Sequence, residues 1–140
     1  MNKRSSDRTL LVVEDSSDDY EALARVMKKI GFAVPVVWCK TGAEMLEVLQ
    51  KATEKPGLIL LDLNIPGING AETLRRLKED SALKAIPVII FSTSASARDI
   101  ENCYRLGANS YIQKPFSLAE ITDIMTAIKR YWFEVAVLHE

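Results

Sequence analysis

Short apolar runs alternate with stretches of helical periodicity along the chain. Leu10-Leu11-Val12-Val13 is unbroken and ends on Glu14 and Asp15. Leu58-Ile59-Leu60-Leu61 ends on Asp62, and Val88-Ile89-Ile90-Phe91 ends on Ser92. Runs without polar alternation predict strands buried on both faces, as in a parallel sheet covered by helices. Weaker runs at Val34 to Trp38 and Ser110 to Gln113 bring the strand count to five.

Between these runs the period lengthens. Tyr20, Leu23, Met27 and Ile30 recur at three- and four-residue steps, and Gly31 follows where a helix takes a left-handed stop. Ala43, Leu46, Leu49 and Ala52 repeat the pattern. Leu74 and Leu77 mark a shorter helix after the turn signals Pro66-Gly67 and Asn69-Gly70. A fourth helix runs from about Ala97 to Leu106 before Gly107. The fifth opens with Ser117 and Glu120 spaced as a capping box and carries Leu118, Ile121, Met125 and Ile128 on one stripe. Strand and helix thus alternate five times. With right-handed crossovers this predicts an α/β fold, a flavodoxin-like doubly wound five-stranded parallel sheet in strand order 2-1-3-4-5. The chain divides into a polar tail over residues 1–8, one domain over 9–131 and an apolar C-terminal arm over 132–140.

Composition narrows the function classes. Lys and Arg total 18 against 19 Asp and Glu, so no strong net field draws the chain to nucleic acid or anionic lipid. Cys39 and Cys103 fit no metal-ligand spacing and are expected as reduced thiols. The first seven residues hold no apolar core of a signal peptide, and no apolar run approaches the roughly 20 residues of a membrane span. A soluble, cytoplasmic protein is expected, without an output domain after the arm. His139, the single histidine, is expected in solvent and not as a phosphodonor.

The chemistry collects at strand ends. In open α/β sheets the site lies beyond the carboxyl ends of the strands. Glu14 and Asp15 follow the first strand, Asp62 the third, Ser92 the fourth and Lys114 the fifth. If the first and third strands are neighbours, three carboxylates share one pocket with a hydroxyl and an ammonium. Such crowding requires compensation, and oxygen ligands without His or Cys suit Mg²⁺. An aspartate is a competent phosphoryl nucleophile, with Lys114 and Ser92 available to phosphate oxygens. Read singly, each group has a bland alternative: a capping pair, a turn serine, a solvated loop lysine.

These pieces resemble the response-regulator receiver family. The matching stretches are Val12-Val13-Glu14-Asp15, Leu60-Leu61-Asp62-Leu63-Asn64-Ile65-Pro66-Gly67 with Gly70, Ile86-Pro87-Val88-Ile89-Ile90-Phe91-Ser92, and Tyr111-Ile112-Gln113-Lys114-Pro115-Phe116. The resemblance implies that Asp62 accepts a phosphoryl group from a sensor histidine kinase. It further implies that Glu14, Asp15, Asp62 and the Asn64 backbone carbonyl hold Mg²⁺, and that Ser92 and Lys114 contact the phosphate. Ser92 and Tyr111 would switch the surface of the fourth helix, fifth strand and fifth helix, and the Lys114–Pro115 bond would be cis. Ser92 stands where Thr is more frequent, and the run Ser92-Thr93-Ser94 leaves open which hydroxyl switches.

The arm Tyr131-Trp132-Phe133-Glu134-Val135-Ala136-Val137-Leu138 is apolar enough to need cover. It is similar to the arm of small response regulators that accompany bacterial phytochromes. That implies a phytochrome-type kinase partner and a homodimer with Trp132, Phe133, Val135 and Val137 at the contact; an arm folded back on its own domain is the alternative. A haloacid-dehalogenase-type phosphatase would place its nucleophile after the first strand, with a second Asp where Asn64 stands. A phosphate-independent module would be expected to lack a site group. A nucleotide or flavin carrier would want a Gly-rich loop after the first strand.

Overall fold

A computed structural model describes residues 8–138. Five strands, β1 (Leu10–Val13), β2 (Val36–Cys39), β3 (Leu58–Leu61), β4 (Val88–Ser92) and β5 (Ser110–Gln113), alternate with α1 (Ser17–Lys29), α2 (Gly42–Lys51), α3 (Gly70–Glu79), α4 (Ala97–Arg105) and α5 (Leu118–Ile128). All strand pairs are parallel, in the order β2-β1-β3-β4-β5, as predicted.

Each helix begins where a side chain can accept an otherwise orphaned amide proton. Ser16, Thr41, Asn69, Ser96 and Ser117 cap α1 to α5 in this way. Gly31, past the end of α1, adopts the expected positive φ of 70°. The second strand starts later than the apolar run suggests. Pro35 has no N–H to offer, and its carbonyl accepts from Leu10 N–H at 2.9 Å before the ladder begins.

Alternation along the strands splits the core in two. Leu11, Val13, Ile59, Leu61, Val88 and Ile90 face α2, α3 and α4, where Met45, Leu49, Leu74, Leu77 and Cys103 complete one cluster. Leu10, Val12, Leu58, Leu60 and Ile89 face α1 and α5, packing on Leu23, Met27, Met125 and Ile128. Cys39 and Cys103 are buried and unpaired, and burial, then the nearby carboxylates of Glu44 and Asp99 respectively, pushes each thiol up to about 11.

The end of the chain departs from an extended arm. Lys129–Val135 continues α5 as a π-helix, with Ala136 N–H donating to the Tyr131 carbonyl five residues back at 2.7 Å. The helix therefore runs through the expected boundary at position 131. Phe133, expected at an intermolecular contact, is instead core: its ring meets Phe32 edge-on at 5.0 Å and it is 2% exposed. Leu138 is also buried, and Trp132 packs partly on the same cluster, whereas Tyr131, Val135 and Val137 stay exposed. The apolar arm thus covers its own domain with one face. No peptide bond among the described residues is cis, so Lys114–Pro115 adopts trans, the lower-energy isomer. The expectation for His139 lies outside the described residues.

Candidate functional site

The register assembles the acidic pocket. Val13 pairs with Leu61, so the next residues, Glu14 and Asp62, leave adjacent strands side by side. Glu14 continues the alternation of Leu10 and Val12, and Asp62 that of Leu58 and Leu60, on the α1/α5 side. Glu14 N–H continues the ladder to the Cys39 carbonyl at 3.0 Å and Asp62 N–H to the Val13 carbonyl at 3.2 Å. Asp15 stands beside them at the start of the turn into α1. One carboxylate oxygen each from Glu14, Asp15 and Asp62 lies within 4.8 Å of the other two. Glu14 and Asp62 are buried while Asp15 is open to solvent.

The fifth strand delivers the countercharge. Lys114 N–H donates to the Ser92 carbonyl at 2.8 Å, which anchors the residue at the end of β5. Its Nζ donates to Glu14 Oε2, to Asp62 Oδ2 at 2.9 Å and to Asp19 Oδ2 at 3.3 Å. Burial alone would lower the ammonium's pKa, but the bonds to Glu14 and Asp62 more than offset that and raise it. For Glu14 the balance goes the other way. Desolvation lifts its carboxyl above the usual range, although the Lys114 bond and the Ser16 N–H oppose the shift.

These groups fit a hard divalent cation. Two oxygens on one octahedral Mg²⁺ lie roughly 3–4 Å apart, given bonds of about 2.1 Å, and the three carboxylates gather one oxygen each within 4.8 Å of the others, with no nitrogen or sulfur donor among them. Asn64 lies two residues beyond Asp62, and its N–H donates to Asp62 Oδ1 at 3.0 Å. That bond closes a tight turn which keeps the Asn64 backbone next to the pocket.

A cavity of about 310 Å³ opens beside the carboxylates. Its floor is Val12, Leu60 and Phe91, and α1 and α5 supply Leu23, Leu118 and Ile121 as walls. Phe116 at its rim is 97% exposed. Of the three consecutive hydroxyls, Thr93 lines this cavity. Ser92 is fully buried at the end of β4, and its Oγ accepts from Ser94 N–H at 3.2 Å. Ser94 is a hub: its Oγ donates to Asp99 Oδ2 at 2.6 Å, and its carbonyl accepts the Tyr111 hydroxyl at 2.9 Å. Tyr111 is half-buried against the α2–α4 cluster.

Asp19 was not foreseen. It is one of two acids in the first turn of α1, where such residues ordinarily answer the helix dipole, and only the fold brings it to Lys114. Gly70, which the resemblance singles out, has a steric reason in the fold. A Cβ there would stand 2.4 Å from the Asp62 carbonyl oxygen and 2.5 Å from Leu63 Cα, so α3 reaches the Asp62 turn only with glycine.

Comparison with known proteins agrees with this geometry. The family model of the response regulator receiver domain matches residues 10–126. The response regulator Rcp1 of Synechocystis sp. is 32% identical over 136 residues, 94% of this chain and 92% of its own. The chemotaxis protein CheY1 of Helicobacter pylori is 31% identical over 108 residues, 77% and 86% of the two chains. Among solved structures, the phosphorylated cyanobacterial phytochrome response regulator RcpA superposes with a TM-score of 0.88 at 33% identity, covering 95% of this chain and 99% of its own. The Mn²⁺-bound form of Rcp1 gives 0.86 at 30% identity with the same coverage. A sheet whose strand ends gather three carboxylates and one lysine, matched by this family along most of its length, belongs to the response regulator receiver family, signalling proteins of two-component systems whose mechanism is phosphorylation of an aspartate.

Proposed function

We propose that Asp62 is the phosphoacceptor, that Glu14, Asp15, Asp62 and the Asn64 carbonyl hold Mg²⁺ beside it, and that the phosphoryl donor is a sensor histidine kinase. The convergence of three carboxylate oxygens within 4.8 Å carries this reading, and the Mn²⁺-bound Rcp1 structure supports it. When bound, the cation supplies charge neutralisation for the phosphate oxygens. The chain's own groups do the rest. An Asp62 carboxylate oxygen attacks phosphorus, an O–P bond forms, and the P–N bond of the phosphohistidine breaks with its electron pair left on the imidazole, which is protonated from solvent. Lys114, already 2.9 Å from Asp62, shifts to the incoming oxygens and holds their charge. Slow hydrolysis reverses the state: water attacks phosphorus, the O–P bond breaks, and the carboxylate and inorganic phosphate are released.

Ser92 and Tyr111 form the switch. Ser92 Oγ accepts one bond from Ser94 and keeps its own proton to donate to a phosphate oxygen. Movement of Ser92 would pull on Ser94, and through it on Asp99 at the start of α4 and on Tyr111 of β5. A phosphate of about −1.5 to −2 charges is enough to bias such a loop. The readout is then the α4–β5–α5 surface.

The kinase is a phytochrome or a similar photoreceptor, as the likeness to RcpA suggests, and the protein acts in the cytoplasm as a homodimer. Among the described residues no helix is long and apolar enough to cross a membrane. For the dimer, the exposed face of Tyr131, Val135 and Val137 replaces Phe133 as the contact, with Trp132 at its edge.

Incubation with Mg²⁺ and acetyl phosphate, read by intact mass, tests the core of this reading. The wild type gains one phosphate and Asp62→Asn gains none; equal labelling of the two would overturn the acceptor assignment. Sedimentation of a Val135→Glu/Val137→Glu variant tests the dimer, and an unchanged association constant rejects that face.

A further inference from the structure

Trp38 lies on β2, the edge strand next to β1, and takes no part in the chemistry described above. Its indole N–H donates to the Glu14 main-chain carbonyl at 2.7 Å. The indole lies flat on the Tyr20 ring of α1, with centroids 4.1 Å apart and planes at 3°. The Lys40 ammonium sits 5.0 Å from the indole centroid.

Glu14 is the first residue past β1. Its N–H is held by the ladder to Cys39, but its carbonyl lies beyond the last paired residue of β1. There the chain turns toward the α1 cap at Ser16, and a strand-end carbonyl without a ladder partner is free to rotate with its whole planar peptide. The indole bond removes that freedom. Since the Glu14 carbonyl and the nitrogen and Cα of Asp15 share one plane, fixing the first also fixes the point from which the Asp15 side chain departs. The Tyr20 stack in turn pins the indole to the helix that Asp15 leads into.

We propose that Trp38 is a positioning residue for the acidic pocket: by holding the Glu14–Asp15 peptide plane it presents these two carboxylates, together with Asp62, to a divalent cation. This rests on the metal-binding reading of the pocket. Groups that orient metal ligands without touching the ion typically change affinity 10- to 100-fold when removed, and a single bond acting through the backbone belongs at the low end.

The test is Mg²⁺ titration by calorimetry of wild type, Trp38→Phe and Phe32→Leu. Trp38→Phe keeps an aromatic face for Tyr20 but loses the N–H, and its Mg²⁺ dissociation constant is expected to rise about tenfold. Its labelling by acetyl phosphate recovers at saturating Mg²⁺. Phe32→Leu, which loosens the contact with Phe133 away from the pocket, lowers the melting temperature with Mg²⁺ affinity unchanged. A Trp132→Phe variant leaves Trp38 as the only tryptophan, so its emission must change as Mg²⁺ binds; this arm decides even if Trp38→Phe does not fold. Unchanged affinity in Trp38→Phe, or a silent Trp38 while calorimetry records binding, would overturn the assignment. Absence of Mg²⁺ binding by the wild type would instead bring down the metal reading, and the role of Trp38 with it.

Discussion

Replacing Lys114 with methionine keeps the length of the side chain and removes the ammonium that bonds both Glu14 and Asp62. The lysine side chain is 11% exposed and its two partners 7% and 9%, so the carboxylates would be left facing each other with little help from water. Removing one member of a buried ion cluster costs roughly 3–5 kcal/mol. The pocket opens at the sheet rim, where Asp15 meets solvent, which favours the lower end, about 3 kcal/mol. For a domain of this size that corresponds to a melting temperature about 10 °C lower. The same ammonium sits on oxygens that a cation would use, so the variant should bind Mg²⁺ more tightly than the wild type. A tenfold tighter dissociation constant is about 1.4 kcal/mol and would narrow the gap to about 5 °C in saturating Mg²⁺. Scanning calorimetry of both proteins in EDTA and in excess Mg²⁺ measures each quantity. An equal deficit with and without the ion would refute the view that lysine and cation compete for one set of carboxylates.

Three further outcomes follow from other parts of the molecule. Gly70→Ala forces a methyl against the Asp62 carbonyl; urea melts should register a loss of about 1–3 kcal/mol, with slower acetyl-phosphate labelling as the Asp62 turn shifts. The Glu14 carboxyl is raised above 4.5 chiefly by desolvation, so the native state binds the proton more tightly than the unfolded chain. Metal-free stability should therefore fall as pH rises from 4.5 through the folded value, and Glu14→Gln should flatten that slope in urea midpoints taken across the range. Phe133→Ala empties a core position against Phe32 and should cost about 3–5 kcal/mol in chemical denaturation; a loss under 1 kcal/mol would mean the π-helix does not pack as described.

Much was legible in the sequence because it depends on local rules. Unbroken apolar runs as short as Leu58–Leu61 read as strands buried on both faces, and the serine and glycine signals flanking the helical stripes mark where those helices begin and end. The residues after each run, Glu14, Asp15, Asp62, Ser92 and Lys114, are placed at one rim by the parallel arrangement itself. Side-chain direction and long-range contact were not legible. Periodicity does not say that Thr93 faces the cavity while Ser92 is buried, because that depends on how β4 alternates between two helical layers. Nor does it separate Asp19 from any other helix-start acid; its role appears only when β5, 95 residues away, brings Lys114 over α1. Trp38 reads as one more apolar residue of an edge strand, because strand order alone does not say that its indole reaches the Glu14 carbonyl and Tyr20. The arm shows the same division. Its composition announced that an apolar surface needed cover, but the choice between self and partner was made by tertiary packing, where a π-helix turns Phe133 inward against Phe32 and leaves Tyr131, Val135 and Val137 outside. Local sequence determines which element forms and where it stops, because those free energies act within a few residues. Which functional groups meet is decided by register and layer packing, which act between residues far apart in the chain.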